Sequence, residues 1–194
     1  MIIDTDLNSS IPEIRRYLRF YDHTVTPEDN DHGSHIAGII AQAACPGVEI
    51  IPCRGAWDVK ASNKCLQYAM DLKVDIINYS MGGDYPEPEE AFLFKKLESK
   101  GIIVNTAAGN SGRALFVKPY FPASYNLGNI NVIGALTENG ERASFSNYQV
   151  NMIWELGVCI ESFNKYGNKV KYNGTSQATA VHTARMVKEW CDGR

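Results

Sequence analysis

Asn173-Gly174-Thr175-Ser176-Gln177-Ala178-Thr179-Ala180 sets a serine in a Gly-Thr-Ser turn directly ahead of an alanine-rich run with helical character. Such a turn presents a hydroxyl at a helix N-terminus. There the unpaired backbone N–H groups and the positive end of the helix dipole favour a developing negative charge. Read by itself, the turn is also an ordinary helix cap, since Ser and Thr are common N-caps. Its weight comes from what lies upstream.

Two earlier segments matter: Ile2-Ile3-Asp4-Thr5-Asp6, and Asp31-His32-Gly33-Ser34-His35-Ile36-Ala37-Gly38. A serine hydroxyl is a poor nucleophile at neutral pH. It needs a base within hydrogen-bond reach and a third group to orient that base. Asp4, His32 and Ser176 are the candidate orienting carboxylate, base and nucleophile. Two further segments complete the set, Ile77-Asn78-Tyr79-Ser80-Met81-Gly82-Gly83 and Ala107-Ala108-Gly109-Asn110. Together the five segments resemble the motifs of the subtilisin-like serine proteases, the subtilases. The likeness runs from residue 2 to about residue 187, and its order of aspartate, histidine and serine is that of subtilisin.

The resemblance implies a serine endopeptidase that cleaves peptide bonds through an acyl-enzyme. It implies that Asp4, His32 and Ser176 form the triad, and that Asn110 donates to the oxyanion together with the backbone N–H of Ser176. It makes His32 the catalytic histidine and His35 a structural one. It also places Ser80, Met81 and Gly82 on one side of the primary specificity pocket and Ala107, Ala108 and Gly109 on the other. A substrate would then lie as an added strand along Ser80–Gly83. What fills the base of that pocket is not readable from the residues.

The chain departs from the family's pattern in four places. Asp6 stands where the family has glycine, which puts a second carboxylate near His32 and in competition with Asp4. Gln177 and Ala180 replace a methionine and a proline. The stretch from His35 to Ile50 is short, so the family's tight calcium site is expected to be absent. A substitute site would fall to the acidic stretches Glu28–Asp31 or Asp84–Glu90, both read as solvated loops. Finally, the chain starts just ahead of Asp4. The expectation is a minimal member without a prodomain that folds unaided or leans on a regulatory protein partner.

Other readings compete. His32 and His35, at i and i+3, could share a metal with Asp31 or Cys45; the expectation is no metal and no cofactor. A subtilase-fold module that binds peptides or a partner without cutting is the alternative function. A nucleotide-binding domain would need a Gly-x-Gly-x-x-Gly or Gly-x-x-x-x-Gly-Lys loop, and neither occurs.

At 194 residues, with 44 % hydrophobic and 21 % charged residues, the chain suits one domain, 1–194. A net charge of -3 and the lack of a basic run argue against nucleic acid, and no stretch has the length of a membrane span. The five cysteines lack Cys-x-x-Cys spacing. They are expected to be reduced, which with no visible leader suggests the cytoplasm. Apolar runs alternate with helical ones, so the expected fold is α/β: a mainly parallel sheet covered by helices on both faces, in three layers. Antiparallel strands are expected in Tyr148–Tyr172.

Overall fold

The structure is a computed structural model that describes residues 1–19, 31–56 and 58–194. The Glu28–Asp31 stretch, apart from Asp31, lies outside the described residues. Six strands form one sheet in the order β2-β1-β3-β4-β5-β6. They are β1 (Ile2–Asp4), β2 (Pro52–Arg54), β3 (Ile76–Tyr79), β4 (Ile103–Ala107), β5 (Ile130–Leu136) and β6 (Ile153–Leu156). All neighbours run parallel.

Side chains alternate across a strand, and β1 shows the consequence. Ile2 joins an apolar cluster with Ile36, Ile40 and Ala180, while Ile3 joins another with Leu66, Phe94 and Val104. The first cluster lies under α2 (His32–Ala43) and α5 (Thr175–Asp192). The second lies under α3 (Val59–Leu72) and α4 (Pro88–Ser99). Helices thus cover both faces in three layers, as the alternating pattern predicts. A four-residue turn of helix, α1 (Pro12–Arg15), packs beside α2.

Local rules place most boundaries. Gly101 takes a left-handed φ of 70° after α4. Its N–H donates to Glu98 O, and Ile102 N–H to Leu97 O, closing the helix in a Schellman motif. The cap of α3 is Asp58, whose carboxylate accepts from Lys60 and Ala61 N–H. Ser62, one turn into α3, is buried and bonded to Tyr79 Oη at 2.6 Å.

Three expectations need correction. Within Tyr148–Tyr172, β7 (Ile160–Phe163) and β8 (Lys169–Tyr172) do pair antiparallel, but β6 runs parallel to β5 as the sixth strand of the sheet. A strand of only four residues does not encode its partner. Asp84–Glu90 is not wholly a solvated loop. Glu90 lies in α4, buried, and accepts from Tyr79 and Tyr125 at 2.6 and 2.9 Å. Burial holds its pKa above the usual carboxylate value, although both tyrosines pull it down. The cysteines are not all reduced. Cys45 pairs with Cys191 and Cys53 with Cys65, at Cα separations of 6.0 and 5.8 Å, leaving Cys159 free. The first pair is 146 residues apart, so only the docking of α5 on α2 brings it together.

Candidate active site

In parallel open sheets, ligands bind beyond the carboxyl ends of the strands. Asp4 ends β1, Ser80 follows β3 and Asn110 lies three residues past β4. His32 and Ser176 come to the same edge at the N-termini of α2 and α5.

The aspartate and histidine meet through close backbone packing. A Cβ on Gly33 would lie 2.4 Å from Thr5 O and 2.6 Å from Asp6 O, so only glycine lets α2 start this close to β1. Gly33 N–H donates to Thr5 Oγ1 at 2.8 Å. The result is a 2.6 Å contact between His32 Nδ1 and Asp4 Oδ1, with Asp4 almost wholly buried. Thr5 N–H donates to the same oxygen. Burial of the imidazole alone would lower its pKa. The charge of Asp4 and its hydrogen bond outweigh that effect, so His32 stands above its ordinary value of about 6.5. With Nδ1 bonded to Asp4, a base role would fall to Nε2.

The rival assignments separate cleanly. Asp6 forms its ion pair with Arg54 on β2 at 3.4 Å, and it is Asp4 that meets His32. His35 is fully buried and stacks on Tyr172 at 4.5 Å, and burial lowers its pKa. Asp31 accepts from Tyr172 Oη and Lys165 N–H, and Cys45 is in a disulfide. These four groups do not converge as a metal site, and no cluster of three metal-binding side chains occurs among the described residues. Asp84 is held by Arg113 and Lys118.

The serine half is held by hydrogen bonds. Gly174 is extended and offers no side-chain cap; α5 starts at Thr175, whose N–H is taken by Asn110, so the next N–H along, that of Ser176, is the one open to an anion. Ser176 Oγ donates to Ser80 O at 3.1 Å, and Ser80 Oγ donates back to Ser176 O at 3.3 Å. Behind them, Asn78 Nδ2 donates to Ser80 Oγ, and Thr183 Oγ1 on α5 donates to Asn78 Oδ1. Asn110 Oδ1 accepts from both N–H and Oγ1 of Thr175, each at 2.9 Å. This consumes the amide oxygen and leaves Nδ2 as the end that can donate to a ligand.

The two candidate walls stand side by side because β3 pairs with β4, Tyr79 opposite Thr106. Asn147, fully buried, clamps the second wall. It accepts from Ser111 and Arg113 N–H and donates to Ala108 O. Met81 is half-buried against the α3–α4 core. The first wall is shorter than expected. Gly83 exchanges both backbone hydrogen bonds with Phe121, so an added strand has Ser80–Gly82 and not Gly83 to pair with. A side chain on Gly82 would strike Phe121 O at 2.3 Å. Gly82→Val would therefore damage the wall itself.

Thr5, Asn78, Asn147 and Thr175 were not singled out by sequence reasoning. Asn78 carried a readable signal: a polar residue inside the apolar Ile76-Ile77-Asn78-Tyr79 strand needs a buried partner. The others act through the loops they hold, which only the fold reveals.

The model of the subtilase family matches residues 2–188. The chain belongs to that family. Subtilisin E of Bacillus subtilis (strain 168) is 29% identical over 197 aligned residues, covering 92% of this chain and 51% of that protein. Subtilisin Savinase of Lederbergia lenta is 29% identical over 180 residues, covering 84% and 65%. The chain thus spans about half the length of the first of these relatives. Among solved structures, a cold adapted subtilisin-like serine proteinase superposes with a TM-score of 0.81 at 24% identity, over 97% of this chain and 74% of that one. The prenylagaramide maturation protease PagA gives 0.80 at 20%, over 100% and 76%. These two likenesses carry the fold.

Proposed function

We propose that the chain is a serine endopeptidase, acting through Asp4, His32 and Ser176 with Asn110 as an oxyanion donor. The observation that carries this is the 2.6 Å Asp4–His32 contact, set at the same sheet edge as a serine on a helix N-terminus. Ser176 Oγ attacks the peptide carbonyl while its proton passes to His32 Nε2. Asp4 holds the imidazole and stabilises its charged form. The carbonyl oxygen becomes an oxyanion, accepting from Asn110 Nδ2 and Ser176 N–H. His32 then returns the proton to the leaving amine, and an acyl-enzyme on Ser176 remains. Water, deprotonated by His32, releases the acid. Peptides or proteins are the substrates.

A fluorophosphonate probe followed by peptide mapping tests this reading. Label on Ser176, lost in Ser176→Ala together with peptide cleavage, is the expected outcome. A folded protein that takes no label would favour the binding-module alternative.

The expected cytoplasmic setting rests on reduced thiols and on the lack of a visible leader. Two disulfides favour an oxidising compartment instead. Thiol titration of the denatured, unreduced protein should find one free cysteine, Cys159; five would restore the cytoplasmic reading.

A further inference from the structure

We propose that Tyr120 fills the primary pocket between the two cleft walls and restricts the residue on the acyl side of the scissile bond to glycine or alanine. This rests on the endopeptidase reading above and names the substrate class it would take. Gly82 belongs to one wall and Gly109 to the other. A Cβ on Gly82 would lie 2.6 Å from Tyr120 Cε1 and 2.9 Å from Cζ. A Cβ on Gly109 would lie 3.1 Å from Tyr120 Cδ1 and 3.2 Å from the same Cε1. One edge of one ring therefore lies against both walls, closer to Gly82 than a side chain there could come and in tight contact at Gly109. The slot that would receive a substrate side chain already holds an aromatic ring.

The ring is held there from several sides. It packs with Ala108, Leu115, Ala123 and Val132. Tyr120 N–H donates to Ser124 Oγ at 3.1 Å, and Ser124 N–H returns to Tyr120 O at 2.9 Å. On one flank, Arg113 donates to Pro119 O at 3.0 Å while paired with Asp84. On the other, Phe121 is tied to Gly83 by two backbone hydrogen bonds. Burial, then the charge of Asp84, raise the phenol's pKa against a smaller opposing pull from Arg113, so the ring stays neutral. Core packing of this kind does not yield to a substrate side chain without loss of contacts. A methyl group or a hydrogen needs no such displacement.

The test compares kcat/KM on peptides that differ only at the acyl-side residue: Gly, Ala, Leu and Phe. Wild type should favour Ala over Phe by roughly a hundredfold, the scale on which a filled pocket discriminates. Tyr120→Gly should open the slot and reverse the order, while Tyr120→Phe, which keeps the ring, should retain the wild-type preference. Fluorophosphonate labelling of Ser176, which needs no side chain in the pocket, reports separately whether the active site exists. Label with equal rates after Ala and Phe in wild type overturns the pocket assignment alone. This comparison stands even if Tyr120→Gly does not fold. Label with an unchanged preference in a folded Tyr120→Gly overturns it equally. No label on Ser176 sinks the endopeptidase reading, and the pocket with it.

Discussion

The two halves of the candidate site are held by different forces. On the β1–α2 side, the backbone of Gly33 is pressed against the carbonyls of Thr5 and Asp6, and Asp4 meets His32 directly. On the β3–α5 side, Ser176 and Asn110 are placed by side-chain hydrogen bonds, to Ser80 O and to Thr175. A hydroxyl has one proton. While Ser176 Oγ gives it to Ser80 O, it does not give it to His32. In the proposed mechanism the first half is thus already set at rest, whereas the second must exchange a hydrogen bond before attack. Steric placement fixes the proposed base, and hydrogen bonding holds the proposed nucleophile in a contact it can exchange.

The largest effect should come from breaking the set half. Asp4→Asn should lower turnover roughly 10⁴-fold, the scale reached when the orienting carboxylate of a serine protease is lost and the histidine takes the wrong tautomer. Asp6→Asn should cost far less, because Asp6 faces Arg54. Steady-state kinetics on both variants decides it, and a larger loss for Asp6→Asn would move the orienting role.

On the other half, Asn110→Ala should lower kcat by roughly 10²–10³ with little change in KM, since its bond to the oxyanion strengthens only in the transition state. A loss confined to KM would make Asn110 a ground-state contact.

The smallest pair of effects distinguishes the two kinds of placement. Gly33→Ala must push apart two backbone carbonyls and should cost about 1–3 kcal/mol of stability. Thr175→Val removes one of the two donors to Asn110 Oδ1, leaving the backbone N–H, and the acceptor of Gly109 N–H. It should lower kcat by roughly tenfold through misplacement of Asn110, with a stability loss of about 1–3 kcal/mol. Melting curves and kinetics on both, with activity read well below each melting point, would show the effects. Equal kcat losses in the two folded variants would erase the distinction.

Much of this was legible in the chain. The alternation of apolar strands and helical runs, with Gly101 closing α4, encodes the layered sheet, because local rules act at each boundary. Asp4, His32, Ser176 and Asn110 could be named as candidates because the proposed chemistry needs those residue types in those turns. Disulfide pairing was not, since Cys45 meets Cys191 only after α5 docks on α2. The reach of the first cleft wall was hidden as well. Nothing in Ser80-Met81-Gly82-Gly83 says that Phe121, some forty residues on, will take the last of these backbones. Tyr120 was silent for the same reason.

The most direct test of the central claim is the rate of fluorophosphonate labelling of Ser176 as a function of pH. Asp4 raises the pKa of His32, so the base is formed only above the ordinary histidine value of about 6.5. The same shift stabilises the folded protein fully below that value, and the contribution is lost as pH rises through the folded pKa. Labelling should therefore rise in a single step with its midpoint above 6.5, and the midpoint should fall in Asp4→Asn. A rate that is flat from about pH 5 to 9, or label that maps to another residue, would contradict a serine activated by His32 and Asp4.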